Sequence, residues 1–147
     1  MALFIVATHG QFSVGIQQSL SMLVGDLADF VAISLVPGEG PEDLLREYDE
    51  AVKASDSHEV LFFVDLFGGS PYNAAARFCA GHENMDVVSG VNLPMLIECI
   101  TKRKRGASLE KLVKAAKSAA LAGVKSFQEV YSAQRASARS SEEEDEL

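Results

Sequence analysis

The chain has 147 residues, 48% of them hydrophobic, and a formal net charge of −8, which is enough material for one domain with a single substantial core. That acidity excludes a general nucleic-acid binder, which needs a basic face to gain from counterion release. No apolar stretch approaches the roughly 20 residues needed to span a bilayer, and the N-terminus has neither the basic region nor the cleavage site of a signal peptide, so the expected location is the cytoplasm.

Leu3-Phe4-Ile5-Val6-Ala7 is a short apolar run rich in branched and aromatic side chains, which predicts a strand buried on both faces of a parallel sheet. It ends on Thr8-His9-Gly10, so His9 falls at the carboxyl end of the first strand, the rim where open α/β sheets bind ligands. Ser13 to Val24 sets Ile16, Leu20, Leu23 and Val24 at helical spacing, with Gly25 as the stop. Phe30 to Val36 predicts a second strand, closed by Pro37-Gly38-Glu39-Gly40 before Pro41-Glu42-Asp43 opens a second helix. That helix carries Leu44, Leu45, Tyr48 and Val52 on one face and runs out near Ser55-Asp56-Ser57, leaving His58 in a polar connection.

Val60-Leu61-Phe62-Phe63-Val64 is the most hydrophobic run in the chain and predicts the central strand, covered on both faces. It ends on Asp65, and the signature Leu66-Phe67-Gly68-Gly69-Ser70-Pro71-Tyr72-Asn73-Ala74-Ala75-Ala76 follows. Ser70 and Pro71 fit an N-cap and a first helical position. Gly68 and Gly69 allow the backbone to approach a ligand, and the free N–H groups of a helix start attract phosphate. Asp86 to Ser89 predicts a fourth strand, leading through Gly90-Val91-Asn92-Leu93-Pro94 into a short helix with Met95, Leu96, Ile97 and Ile100; His82 lies in the loop before it.

Cys79 and Cys99 fall in apolar helical patterns and form no CxxC pair, so they read as buried small hydrophobes. Lys102-Arg103-Lys104-Arg105 reads as a solvated patch complementing a helix C-terminus, with a docking contact for an acidic partner as its functional alternative. Ser108 to Leu121 predicts a further amphipathic helix, and Gly123 to Tyr131 either continues it or forms a last edge strand. From about Ala133 the composition turns to Ser, Ala and Arg and then to Glu142-Glu143-Glu144-Asp145-Glu146, which cannot build a core. The expected organisation is one domain over 1–131 and a disordered acidic tail over 132–147.

Repeated strand-then-helix order implies an α/β, doubly wound, mostly parallel sheet with helices on both faces. With the common order 2-1-3-4, His9 and Asp65 face each other at the switch point. A carboxylate that accepts a hydrogen bond from one imidazole nitrogen aims the other nitrogen's lone pair outward and stabilises the positive ring formed on attack. With the helix start at Ser70 as an anion cradle, the three elements point to phosphoryl transfer through a phosphohistidine, with neither a metal nor a cofactor expected.

Ala7-Thr8-His9-Gly10, Val36-Pro37-Gly38-Glu39, Val64 to Ala75 and Gly90-Val91-Asn92-Leu93-Pro94-Met95-Leu96 together resemble the enzyme IIA domain of the mannose family of bacterial sugar phosphotransferase systems, over about residues 2 to 130. The resemblance implies a carrier that accepts phosphate from HPr and passes it to a IIB component, which serves a IIC/IID membrane permease. It implies that His9 is the phosphorylated residue, Asp65 its orienting carboxylate and Ser70 a phosphate-side hydroxyl. It further implies a homodimer in which an antiparallel fifth strand, here near Val124 to Val130, is exchanged between protomers. Such domains are often fused to IIB, whereas this chain looks free-standing. Two other classes fit less of the pattern: the phosphotransfer subunit of dihydroxyacetone kinase, and a non-catalytic anion-binding regulatory module.

Overall fold

Every residue of β1 (Leu3–His9) before His9 is buried, and β3 (Val60–Val64) is buried throughout, because both strands lie inside the sheet with helices on each face. The computed structural model describes residues 1–145; Glu146 and Leu147, the end of the expected tail, lie outside them. Side chains alternate between faces along each strand. Phe4, Val6, Leu61 and Phe63 pack under α1 (Phe12–Val24), α4 (Leu93–Lys104) and α5 (Leu109–Ala122). Leu3, Ile5, Phe62 and Val64 pack under α2 (Pro41–Ala54) and α3 (Ser70–Cys79).

With β2 (Phe30–Leu35) and β4 (Met85–Val88), the described residues form a four-stranded sheet in the order β2-β1-β3-β4, parallel throughout. Ala7 stands between Ile33 and Val64, and His9 is opposite Leu35. The chain winds to one side of β1 through α1 and β2, then crosses to the other side at β3, so the ends of β1 and β3 meet where the winding reverses. His58 and His82 are exposed and Cys99 is buried, as the sequence suggests, whereas Cys79, expected to be buried, is half-buried. Burial pushes both thiols up to about 12, which makes them poor nucleophiles.

Two expectations change. The helix after Pro94 continues to Lys104 and absorbs the basic run, and its phase turns Arg103 inward on the stripe of Leu96, Cys99 and Ile100. Arg103 is therefore buried rather than solvated. Its guanidinium lies 4.0 Å from the centre of the Phe4 ring and donates to the carbonyls of Ala2 at 2.8 Å, Asp29 at 2.9 Å and Ala28 at 2.5 Å. Lysine has no planar fork to serve three carbonyls, so Arg103→Lys is expected to cost about 1–2 kcal/mol, read as a lower denaturant midpoint.

The second change concerns the C-terminal part. No fifth strand occurs among the described residues; the chain leaves α5 through 124–126 and enters α6 (Phe127–Asp145). Ala, Glu, Gln and Arg dominate this stretch and favour helix, and no period-2 apolar alternation favours a strand. Every α6 side chain through Glu144 is exposed, so the segment adds no core, as its composition implies. The expected boundary at 131/132 thus falls inside α6.

Candidate functional site

β1 delivers His9 to the rim and leaves its side chain 48% exposed, while Asp65, the residue after β3, has a side chain only 14% exposed. His9 Nδ1 donates to Asp65 Oδ2 at 2.8 Å, and the His9 backbone N–H donates to the same oxygen at 3.0 Å. A carboxylate only accepts, so the proton sits on Nδ1 and the lone pair on Nε2. The other Asp65 oxygen, Oδ1, accepts from the Leu66 N–H at 3.0 Å, which fixes the carboxylate plane. Burial acts to raise the Asp65 pKa, but the His9 backbone and ring hydrogen bonds, helped by Leu66, outweigh it and hold the carboxyl below its ordinary value.

The turn from Asp65 to α3 completes one wall. Gly68 has φ +81°, a left-handed conformation that disfavours any residue with a Cβ. Gly69 makes the close approach, but to the imidazole: a Cβ built there would lie 3.0 Å from His9 Cε1. Gly69 is also the residue that caps α3, since its carbonyl accepts from the Asn73 N–H at 2.8 Å. Ser70 is the first helical residue, not the N-cap, and no side-chain oxygen caps this helix. The N–H of Gly69 is taken up by Leu66 O at 3.2 Å and Pro71 has none, so the Ser70 and Tyr72 amides are the donors left at the helix start.

Because its hydroxyl caps nothing, Ser70→Ala is expected to leave the thermal midpoint nearly unchanged, with a loss of less than about 0.5 kcal/mol. A cap serine would have cost about 1 kcal/mol. Thermal unfolding of the two proteins side by side checks this.

Three supporting residues were not singled out from the sequence as parts of the site. Asn73 Nδ2 donates to Gly68 O at 3.0 Å and braces the glycine turn. The buried Tyr48 hydroxyl donates to Pro71 O at 3.0 Å and ties α2 to the first turn of α3. Thr8 Oγ1, fully buried beside His9, accepts from the Ser13 N–H at 2.7 Å and caps α1 in place of Gln11, which makes no side-chain cap. The available signal for Thr8 was a lone hydroxyl closing an otherwise apolar strand; Tyr48 and Asn73 read as ordinary helix residues until the helices are packed. Among the described residues no group of three or more His, Cys, Asp or Glu side chains could hold a metal ion. No described helix is long and apolar enough to cross a membrane.

A histidine tethered through Nδ1, half-exposed and with a helix start beside it, has the geometry that nucleophilic attack on an anionic group requires. The family model described as PTS system fructose IIA component matches residues 3–117. The fructose-specific EIIA component of Bacillus subtilis is 43% identical over 101 residues, covering 68% of this chain and 69% of that protein. The mannose-specific EIIAB component of Escherichia coli K12 is 36% identical over 124 residues, 84% of this chain but 38% of that longer protein. A crystal structure of phosphotransferase system component EIIA from Streptococcus agalactiae superimposes with a TM-score of 0.81 at 28% identity, covering 87% of this chain and 98% of that one. The fold, the order of its strands and the extent of these matches together make the chain a member of the mannose-family IIA components of the sugar phosphotransferase system, a phosphotransfer subunit.

Proposed function

We propose that the chain carries a phosphoryl group on His9, taking it from phosphorylated HPr and giving it to a IIB component that phosphorylates sugar at a IIC/IID permease. The observation that carries this reading is the 2.8 Å bond between His9 Nδ1 and Asp65, which leaves Nε2 as the nucleophile. Nε2 attacks phosphorus, a P–N bond forms, and the bond to the donor breaks with its electron pair staying on the donor. The ring gains positive charge, which Asp65 balances, and the helix-start amides with the Ser70 hydroxyl hold the phosphoryl oxygens. Gly68 and Gly69 shape that cradle. Transfer to IIB is the same step in reverse.

Protein partners, rather than a small substrate, fit the surroundings of the histidine. Phe12, Leu66 and Phe67, on the segments that follow β1 and β3, are 48%, 62% and 76% exposed, an apolar rim that a docking protein covers. No cofactor or metal enters the step. The remaining parts of the reading are a homodimer and a cytoplasmic location, with the membrane reached through IIB. The sugar is set by the partners, since a IIA carrier touches none.

The test is incubation with phosphoenolpyruvate, enzyme I and HPr, followed by a chase with candidate IIB proteins. Label that enters this chain and then leaves it for a IIB protein supports the reading. A chain that stays unlabelled under conditions where HPr is phosphorylated refutes it.

A further inference from the structure

The outer edge of β2 lies beside three acids that the phosphoryl site does not use. Among the described residues no strand pairs with β2 on the side away from β1. The bonds that bracket the β1–β2 ladder, Phe4 N–H to Asp29 O at 2.9 Å and Gly10 N–H to Leu35 O at 2.8 Å, set its parity. In a parallel ladder the N–H and C=O of one residue face the same side, and successive residues face opposite sides. Val31, Ile33 and Leu35 therefore bond to β1, while the backbone groups of Ala32 and Ser34 face outward. The next outward N–H, that of Val36, donates to Glu39 Oε1 at 3.0 Å, which closes the bare stretch. Sheet edges are commonly guarded by Lys, Pro or a bulge. The β2 sequence FVAISL contains neither Lys nor Pro, and its register with β1 is unbroken.

A groove of about 660 Å³ runs along this edge, with residues 31–34 and Val36 on one side and Glu39, Glu47, Glu50 and Ala51 on the other. No Lys, Arg or His borders it. Glu47 and Glu50 are three residues apart on α2 and share a face. Other acids of α2 have partners: Glu42 pairs with Arg77, Asp43 with Arg46 and Asp49 with Lys53. Glu39, Glu47 and Glu50 make no ion pair among the described residues. Glu47 Oε2 is buried and accepts no hydrogen bond from the described residues. Burial first, then Glu39, and more weakly Glu50 and Asp43, raise the Glu47 carboxyl above its ordinary value, with Arg46 opposing them. The imbalance extends along the sequence: Arg46 is the first Lys or Arg in the chain, and Asp26, Asp29, Glu39, Glu42 and Asp43 precede it.

We propose that the β2 edge takes up an extended, basic segment of a partner protein as an added strand, its backbone bonded to Ala32 and Ser34 and its cations seated on Glu47 and Glu50. Side chains on one face of such a strand repeat roughly every 7 Å. Lys or Arg at alternate positions then meets the acids beside α2, and the residues between them lie on the opposite face with the side chains of Ala32 and Ser34. A second copy of β2 is not the occupant, because that strand has no cation to offer and an antiparallel pair would set both copies' acids together on one face. Neither His9 nor Asp65 lines the groove, so the proposal stands apart from the phosphoryl-transfer reading.

The probe is a fluorescent synthetic peptide of about eight residues that alternates lysine with valine and threonine, titrated into the full chain and followed by anisotropy. Saturable binding is expected, with slowed hydrogen exchange at the amides of Ala32 and Ser34 and no change at Val31 and Ile33, which already bond to β1. Two N-methylated forms of the peptide, one for each set of alternate amides, keep its charge. The form blocked on the edge-facing set is expected to bind about tenfold or more weakly than the other, because an added strand uses only one of its two sides. Glu47→Gln with Glu50→Gln is expected to weaken binding of the parent peptide by about tenfold or more. Circular dichroism checks that this variant folds, and Glu50→Gln alone, at an exposed position, gives a smaller loss in the same direction. Equal binding of the two methylated forms means simple attraction of a cation to an acidic chain and overturns the proposal. So does a peptide that does not bind, unchanged exchange at Ala32 and Ser34, or a folded glutamine variant that binds as wild type does.

Discussion

Replacing His9 with alanine is expected to abolish phosphorylation by HPr completely while leaving a folded protein. The His9 side chain is half-exposed at the end of β1, so its removal opens no core cavity, and the residues that hold the sheet together, Phe4, Val6, Phe62 and Phe63, are untouched. What disappears is the imidazole that the proposed transfer uses. Of the other histidines, His58 follows α2 and His82 follows α3, both on exposed connections at the opposite end of the sheet from the His9 rim. The wild-type label should be lost on brief acid treatment, because a phosphoramidate hydrolyses in acid and a phosphoserine does not. Filter-binding of radiolabel from phosphoenolpyruvate, before and after acid, reads both results. Label on the alanine variant, or acid-stable label on the wild type, removes His9 from the mechanism.

Asp65→Asn is expected to slow phosphorylation by on the order of 10²-fold or more, about 2.7 kcal/mol of barrier, with the fold retained. The amide is nearly isosteric, and its oxygen can still accept from the His9 ring, but it brings no charge to balance the imidazolium that forms. The effect should exceed that of Ser70→Ala, because the Ser70 and Tyr72 amides remain at the helix start when the hydroxyl is gone. Stability carries a separate signature. The Asp65 pKa is lowered in the folded state, so its contribution is present above the ordinary carboxylate value of 3.8 and is lost as pH falls below that through the folded value. Asp65→Asn has no such titration, and the stability difference between the two proteins should change in that acidic window and be flat at neutral pH. Stopped-flow or quench-flow phosphorylation at neutral pH and urea midpoints across the acid range measure the two effects independently. A variant phosphorylated at the wild-type rate would leave Asp65 a purely structural acceptor.

The sheet and its rim were legible in the amino-acid sequence because their signals are local. Val60 to Val64 is apolar at every position, which only a strand covered on both faces tolerates, and strand-helix alternation then admits few topologies. The placement of His9 and Asp65 at strand ends followed from where the apolar runs stop. Tertiary structure decided the rest. Which imidazole nitrogen binds Asp65 depends on the relative height of β1 and β3, and the Ala7 to Val64 register sets that height. The capping role passed from Ser70 to Gly69 because one residue of helical phase separates the two, a difference that propensity does not resolve. Arg103 looked solvated because three cations surround it in sequence, and only the packing of α4 against β1 turned that one position toward Phe4 and the carbonyls of Ala2, Ala28 and Asp29. The segment after Val124 is helical rather than a fifth strand: the sheet leaves edges at β2 and β4, but the Ala, Glu, Gln and Arg residues of α6 favour a helix, which satisfies its hydrogen bonds within itself.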